Sequence, residues 1–330
     1  MSTTDSAISE RSIRNHVPPG VEYHRVLAGD KRRIGRGILA IALVIGGLQF
    51  FSILLSVGVS LIEFQRGIVT PALGGTDYTP LYHAVSYGSV ALLIPWSMFV
   101  QRWLYGVRGP SLHSVVSRFR FDLFGRSLLI LGPVVIALIV VNDYLAPTLK
   151  LQLDHTTVLW LIATTLVVVP LQTAGEEYGF RGLVFRVAGS WGRGPRTALV
   201  LGLLVSSVAF ALVHLSTDPW LNLWYLTFGI TTGIIVWRTG GIEIAVVLHA
   251  LFNTVSGVFD VAVRTDLVSG TERDEGAAGA YLLIGAFVWI AITAVVWFVT
   301  RKTGPARTPS LPTDDPSTVA PENRAAPVQS

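Results

Sequence analysis

The sequence predicts an all-α fold: a polytopic membrane helix bundle of about eight transmembrane helices with both termini cytoplasmic. Of its 330 residues, 51% are hydrophobic and only 14% are charged, where an ordinary soluble domain carries about 25% charged residues. The mean hydropathy of +0.56 agrees. Eight apolar stretches, at 34–62, 81–100, 123–142, 157–180, 197–215, 220–237, 242–260 and 279–299, are long enough to cross a bilayer, for which about 20 helical residues suffice. With the N-terminus placed in the cytoplasm, 21 of the 25 Lys and Arg residues fall on the inner side, leaving Arg66, Lys150, Arg264 and Arg273 outside. Such a split is the signature of cytoplasmic loops.

The same composition excludes several functions. With no cysteine, there is no disulfide, thiolate zinc site, cysteine nucleophile or prenylated C-terminal Cys. The pI near 9.5 does not call for nucleic acid, because the basic residues cluster at span ends where a lipid bilayer explains them.

Taken in order, residues 1–33 are polar, with Pro18-Pro19-Gly20 and the cluster Lys31-Arg32-Arg33. They read as a disordered basic tail and membrane-flanking anchor, and the first apolar run starts too late and runs too long for a cleaved signal peptide. Between the second and third spans, Leu112, Val115, Val116 and Phe119 recur at helical spacing beside Arg118 and Arg120, which predicts a short helix on the inner membrane surface. The fourth span ends in Glu176-Glu177-Tyr-Gly-Phe-Arg181. If the helix continues, Glu177 and Arg181 share a face and Glu176 points about 100° away. Either the glutamates mark the interface, with a solvated surface pair, or one carboxylate is paired and the other is free to act. Pro170 removes a hydrogen bond to Leu166 and bends the helix just before the pair, which serves either a water pocket or packing.

The fifth span carries His214 and the seventh His249 and Asn253, the last two one helical turn apart on one face. Each alone reads as an interhelical hydrogen bond. Together with Glu176 they make up the parts of a hydrolytic site: Glu176 and His214 to activate a water, His249 and Asn253 to donate to an oxyanion. A helical hairpin turning near Gly192 to Pro195 brings Glu177 and His214 level. Because His249 lies only nine residues past Gly240, the three agree in depth when the hairpin tip, with Arg181, Arg186, Arg193 and Arg196, protrudes about 10 Å into the cytoplasm. Residues 301–330, rich in Pro, Ser and Thr, read as a second disordered tail. No internal repeat of the transporter kind is evident.

At these residues the sequence resembles the CPBP family of intramembrane proteases, also called the Abi family, which includes the type II CAAX prenyl endopeptidases. The family's Glu-Glu-x-x-x-Arg, Phe-x-x-x-His and His-x-x-x-Asn correspond to Glu176 to Arg181, Phe210 to His214 and His249 to Asn253, within residues 120–265. The resemblance implies a protease domain over 34–300, in the cell membrane, acting on membrane-embedded or membrane-tethered peptide substrates. Glu176 would be the general base, His214 would help activate water, Glu177 and Arg181 would orient the first carboxylate, and His249 and Asn253 would form the oxyanion site. No cofactor is required by that mechanism. The metalloprotease alternative would place zinc on Glu176, His214 and His249, although no His-Glu-x-x-His helix is present. A non-proteolytic membrane adaptor or bacteriocin-immunity-type protein on the same fold is the competing expectation.

Overall fold

A computed structural model describes residues 17–145, 153–263, 267 and 273–310. The helices are α1 (Ile34–Phe64), α2 (Pro80–Val90), α3 (Leu93–Tyr105), α4 (Phe121–Leu145), α5 (His155–Glu177), α6 (Phe185–Gly189), α7 (Pro195–Leu212), α8 (Pro219–Thr239), α9 (Glu243–Ala262) and α10 (Leu282–Thr300). A π-helical segment, Tyr178–Val184, joins α5 to α6 without a break. Among the described residues there is no strand, only two isolated bridges, Glu22 to Arg307 and Ser114 to Gly241. The fold is therefore all-helical.

Local signals set the helix ends. Asp218 caps α8 by accepting from the backbone N–H groups of Trp220 and Leu221, Pro219 supplies a pre-set first turn, and Gly240 ends the helix at φ +69°. Asp154 caps α5 in the same way through Thr157.

Helices α1, α4 and α10 expose large apolar side chains such as Phe50, Ile53, Leu129, Ile130, Phe287 and Val299. Such faces need a lipid solvent, and backbone groups satisfied within helices suit it. Seven helices among the described residues are long and apolar enough to cross a membrane, α2 with α3 and α5 to α6 each counting as one. The chain is a multi-pass membrane protein.

The sixth expected span, 220–237, coincides with α8 but lacks that apolar character and is not among the seven. Its Thr231, Thr232 and Arg238 face protein rather than lipid and are buried.

One end of the bundle is closed by a layer of chain that the sequence does not announce. Tyr23 and His24 are fully buried, the Tyr23 hydroxyl donates to the Leu112 carbonyl at 2.6 Å, and Trp237 donates to Glu22 at 2.9 Å. The Thr308 N–H donates to the Val21 carbonyl, and Arg307 lies 3.4 Å from Glu22. Residues 17–28 and 304–308 are thus packed structure rather than tail; the tail expectations for 1–16 and 311–330 lie outside the described residues.

The inner-loop helix expected at 112–119 is absent. A 3-10 turn, Gly109–Leu112, leads into an irregular segment in which Ser117 takes the left-handed region at φ 56°, which a helix does not tolerate. The apolar Leu112 and Val115 are buried against protein instead of lying on lipid, with the Val115 N–H donating to Gly240 and the Ile242 N–H to His113.

The expected hairpin tip also differs. Arg181 and Arg186 are completely buried; Arg186 donates to the Ser111 carbonyl at 2.6 Å and hydroxyl at 3.0 Å and lies over the Tyr23 ring at 3.9 Å.

Candidate active site

Helix α5 delivers two carboxylates at its end, and close packing holds that end in place. A Cβ on Gly175 would stand 2.2 Å from the Val90 carbonyl oxygen at the α2 to α3 break, so a residue without a side chain is what lets these backbones touch.

Beyond Glu177 the chain winds as a π-helix, a form frequent at functional sites. It keeps Arg181 on the Glu177 face, with Nη1 3.3 Å from Oε1 and both side chains at 0% exposure. That excludes the solvated surface pair. The guanidinium is further held by Nε donating to Thr232 at 3.0 Å and by the Phe210 ring, 3.8 Å beneath it, a desolvated cation-π contact.

His249, from α9, sits between the two carboxylates. Its Nδ1 is 2.8 Å from Glu177 Oε1 and its Nε2 is 3.5 Å from Glu176 Oε2. An ionised carboxylate only accepts, so Nδ1 carries a proton. Glu176 is also fixed through Oε1, which accepts from Gln172 Nε2 at 2.6 Å. Its Oε2 has no hydrogen bond among the described residues.

A cavity of about 280 Å³ adjoins this cluster, lined by His249, Asn253, His214, Phe210, Tyr225 and Arg273 among others. His214 stacks on Tyr225 at 3.9 Å between centroids, and its Nδ1 lies 2.7 Å from the Phe210 carbonyl. A carbonyl cannot donate, so that nitrogen bears the proton and Nε2 keeps its lone pair.

Of the six residues expected from sequence, the structure brings Glu176, Glu177, Arg181 and His249 into contact and puts His214 and Asn253 on the wall of the adjoining cavity. Glu176 reaches that wall through His249; its direct polar neighbours are Gln172 and His249, not His214. Among the described residues no group of three or more His, Asp or Glu is arranged to hold a metal ion, so the zinc set Glu176, His214 and His249 does not assemble here.

Sequence reasoning missed four contributors. Gln172 is one turn before Glu176, a signal available from its spacing; Thr232 and Tyr225 come from α8, to which no role was given. Arg273 belongs to the loop before α10, where its backbone carbonyl accepts from Thr217, Asp218 and Ser216.

Comparison with known proteins adds a family. Residues 156–255 match the type II CAAX prenyl endopeptidase Rce1-like family. A Bacillus subtilis (strain 168) protein, described as uncharacterized protein YyaK, is 35% identical over 101 residues, which cover 29% of this chain and 32% of that relative. The match therefore spans about a third of the relative's length. No solved structure matches the chain. The matched segment runs from the start of α5 past Asn253 and holds Glu176, Glu177, Arg181, His214 and His249 as well, so the part of this chain that builds the site is similar to the Rce1-like type II CAAX prenyl endopeptidases.

Proposed function

We propose that the chain is an intramembrane endopeptidase of the cell membrane, with eight spans and cytoplasmic termini, that hydrolyses peptide bonds of membrane-associated substrates without a metal. The observation that carries this is the division of labour between adjacent carboxylates. Glu177 is engaged by Arg181 and His249, while Glu176 keeps one oxygen unbonded among the described residues beside an imidazole, His249, that faces both carboxylates.

In this reading Glu176 takes a proton from a water that the Nε2 lone pair of His214 helps to hold, and the resulting hydroxide attacks the scissile carbonyl carbon. The carbonyl oxygen becomes an oxyanion that accepts from Asn253 and, with the His249 ring protonated on both nitrogens, from its Nε2–H while Nδ1–H stays on Glu177. As the C–N bond breaks, Glu176 passes its proton to the departing amine. Glu177, Arg181 and Thr232 act through His249 and Glu176 as positioning residues.

The test uses purified protein in detergent with a membrane-derived peptide. Glu176→Gln keeps shape and removes the base, so cleavage is lost at normal yield and thermal stability. His249→Ala slows turnover by about a hundredfold or more, as loss of an oxyanion donor does elsewhere. Full activity in Glu176→Gln, or wild-type cleavage abolished by a chelator and restored by zinc, overturns the mechanism. Absence of cleavage in wild type favours the adaptor.

A further inference from the structure

The cavity beside His249 continues. A second cavity of about 160 Å³, lined by Ile139, Asn142, Ser256, Asp260 and Tyr281 among others, shares Phe252 and Leu282 with the first. It lies where α4, α9 and the start of α10 meet. Asn142 is 9% exposed, and neither its Oδ1 nor its Nδ2 has a hydrogen-bond partner among the described residues. Leaving a buried polar group unsatisfied is costly, and an amide that lines a cavity with both groups unspent is built to receive a ligand. A carboxamide offers a donor and an acceptor side by side, the complement of a peptide unit's C=O and N–H.

We propose that the two cavities form one trough in which an extended peptide lies, with Asn142 holding its backbone away from the scissile bond. From His249 to Ser256 is seven residues, about 10 Å along a helix, the length of roughly three residues of extended peptide. The Asn142 subsite therefore holds the residue about three positions from the bond that is cut. The apolar walls, Phe252, Leu282 and Ile139, select aliphatic or aromatic side chains there. This subsite deepens the peptidase reading and rests on it.

The experiment compares an apolar eight-residue peptide with a version cut back to one residue on the side facing Asn142. Asn142→Leu keeps the volume and removes the amide. We expect KM for the long peptide to rise about tenfold with kcat unchanged, and the short peptide to be indifferent. Binding of the fluorescein-labelled long peptide to Glu176→Gln protein, with and without Asn142→Leu, gives the same comparison without cleavage.

A third measurement needs no change at Asn142. In this cysteine-free chain, maleimide labelling of Ser256→Cys should be slowed by the long peptide and not by the short one. Equal effects on both peptides, or a fall in kcat with loss of thermal stability and no change in peptide protection at Ser256→Cys, overturn the subsite. Length-dependent binding and protection in a protein that never cleaves uphold the subsite and remove the peptidase reading instead.

Discussion

Glu177 Oε1 is shared: it lies 2.8 Å from His249 Nδ1 and 3.3 Å from Arg181 Nη1. One carboxylate oxygen thus ties α9 to the π-helical segment, in a place where none of the three side chains is more than 6% exposed. A buried cluster of this kind gains little from being made and loses much from being half broken.

Arg181→Ala should leave Glu177 as a buried charge with only an imidazole beside it, a loss of roughly 3 to 5 kcal/mol. Folded yield and melting temperature in detergent read this directly. Glu177→Ala combined with Arg181→Ala should cost less than the two separate losses added together. Additive losses would show that the two groups do not act as a pair.

Gly175→Ala puts a Cβ into a space where the nearest atom is a backbone carbonyl oxygen at 2.2 Å. Backbone cannot swing aside as a flexible side chain does, so α5 must shift away from the α2 to α3 break. Overpacking of this sort costs about 1 to 3 kcal/mol. The shift would also move Glu176, so activity should fall together with stability; an alanine variant with wild-type melting and turnover would contradict the close approach.

Burial holds the His24 imidazole down at about 4 from its ordinary 6.5, against the opposing pull of Glu22. The unfolded chain takes up a proton as pH drops below 6.5, whereas the folded chain does not until about 4. The stability linked to this group is therefore complete above pH 6.5 and is lost as pH falls towards 4, by up to roughly 3 kcal/mol. His24→Phe, which keeps the stacking on Phe185, should lose less melting temperature than wild type between pH 7 and 5. Parallel pH profiles would rule His24 out as the source.

Leu282, at the cavity, and Arg193, between α6 and α7, belong to opposite ends of the bundle in the eight-span reading. A cysteine at Leu282 should react with a membrane-impermeant maleimide in right-side-out vesicles, and one at Arg193 only in inverted vesicles. Peptides would then reach the cavity from the exterior. Labelling of both from one side would break the alternation on which the orientation rests.

What was legible in the sequence was whatever one helix encodes by itself. The Glu177 to Arg181 pair follows from a four-residue spacing that survives the π-helical turn, and the placing of His249 and Asn253 on one face follows from the same rule. The His249 link to Glu177 joins residues 72 apart, and no periodicity in either helix encodes it.

The same limit explains the misread loop. Leu112 and Val115 have the spacing of a lipid-facing helix, but Val115 packs on the turn at Gly240 and Leu112 lies beside Gly182 and Tyr23, partners invisible from local pattern. Residues 17–28 look like tail because they are polar, and they are ordered because Tyr23 and His24 find Leu112, Arg186 and Phe185 far along the chain.

The strap formed by Val21 and Glu22 with Arg307 and Thr308 has a consequence for synthesis. Its two halves, Glu22 and Arg307, lie 285 residues apart in the chain, so they leave the ribosome at well-separated times. Every helix from Ile34 to Thr300 can enter the bilayer before Thr308 exists, so the closed end of the bundle is sealed only after all of them have been made. A chain stopped after Thr300 keeps the seven apolar helices of the described residues and loses that seal, leaving Val21 and the neighbouring Tyr23 layer without their latch.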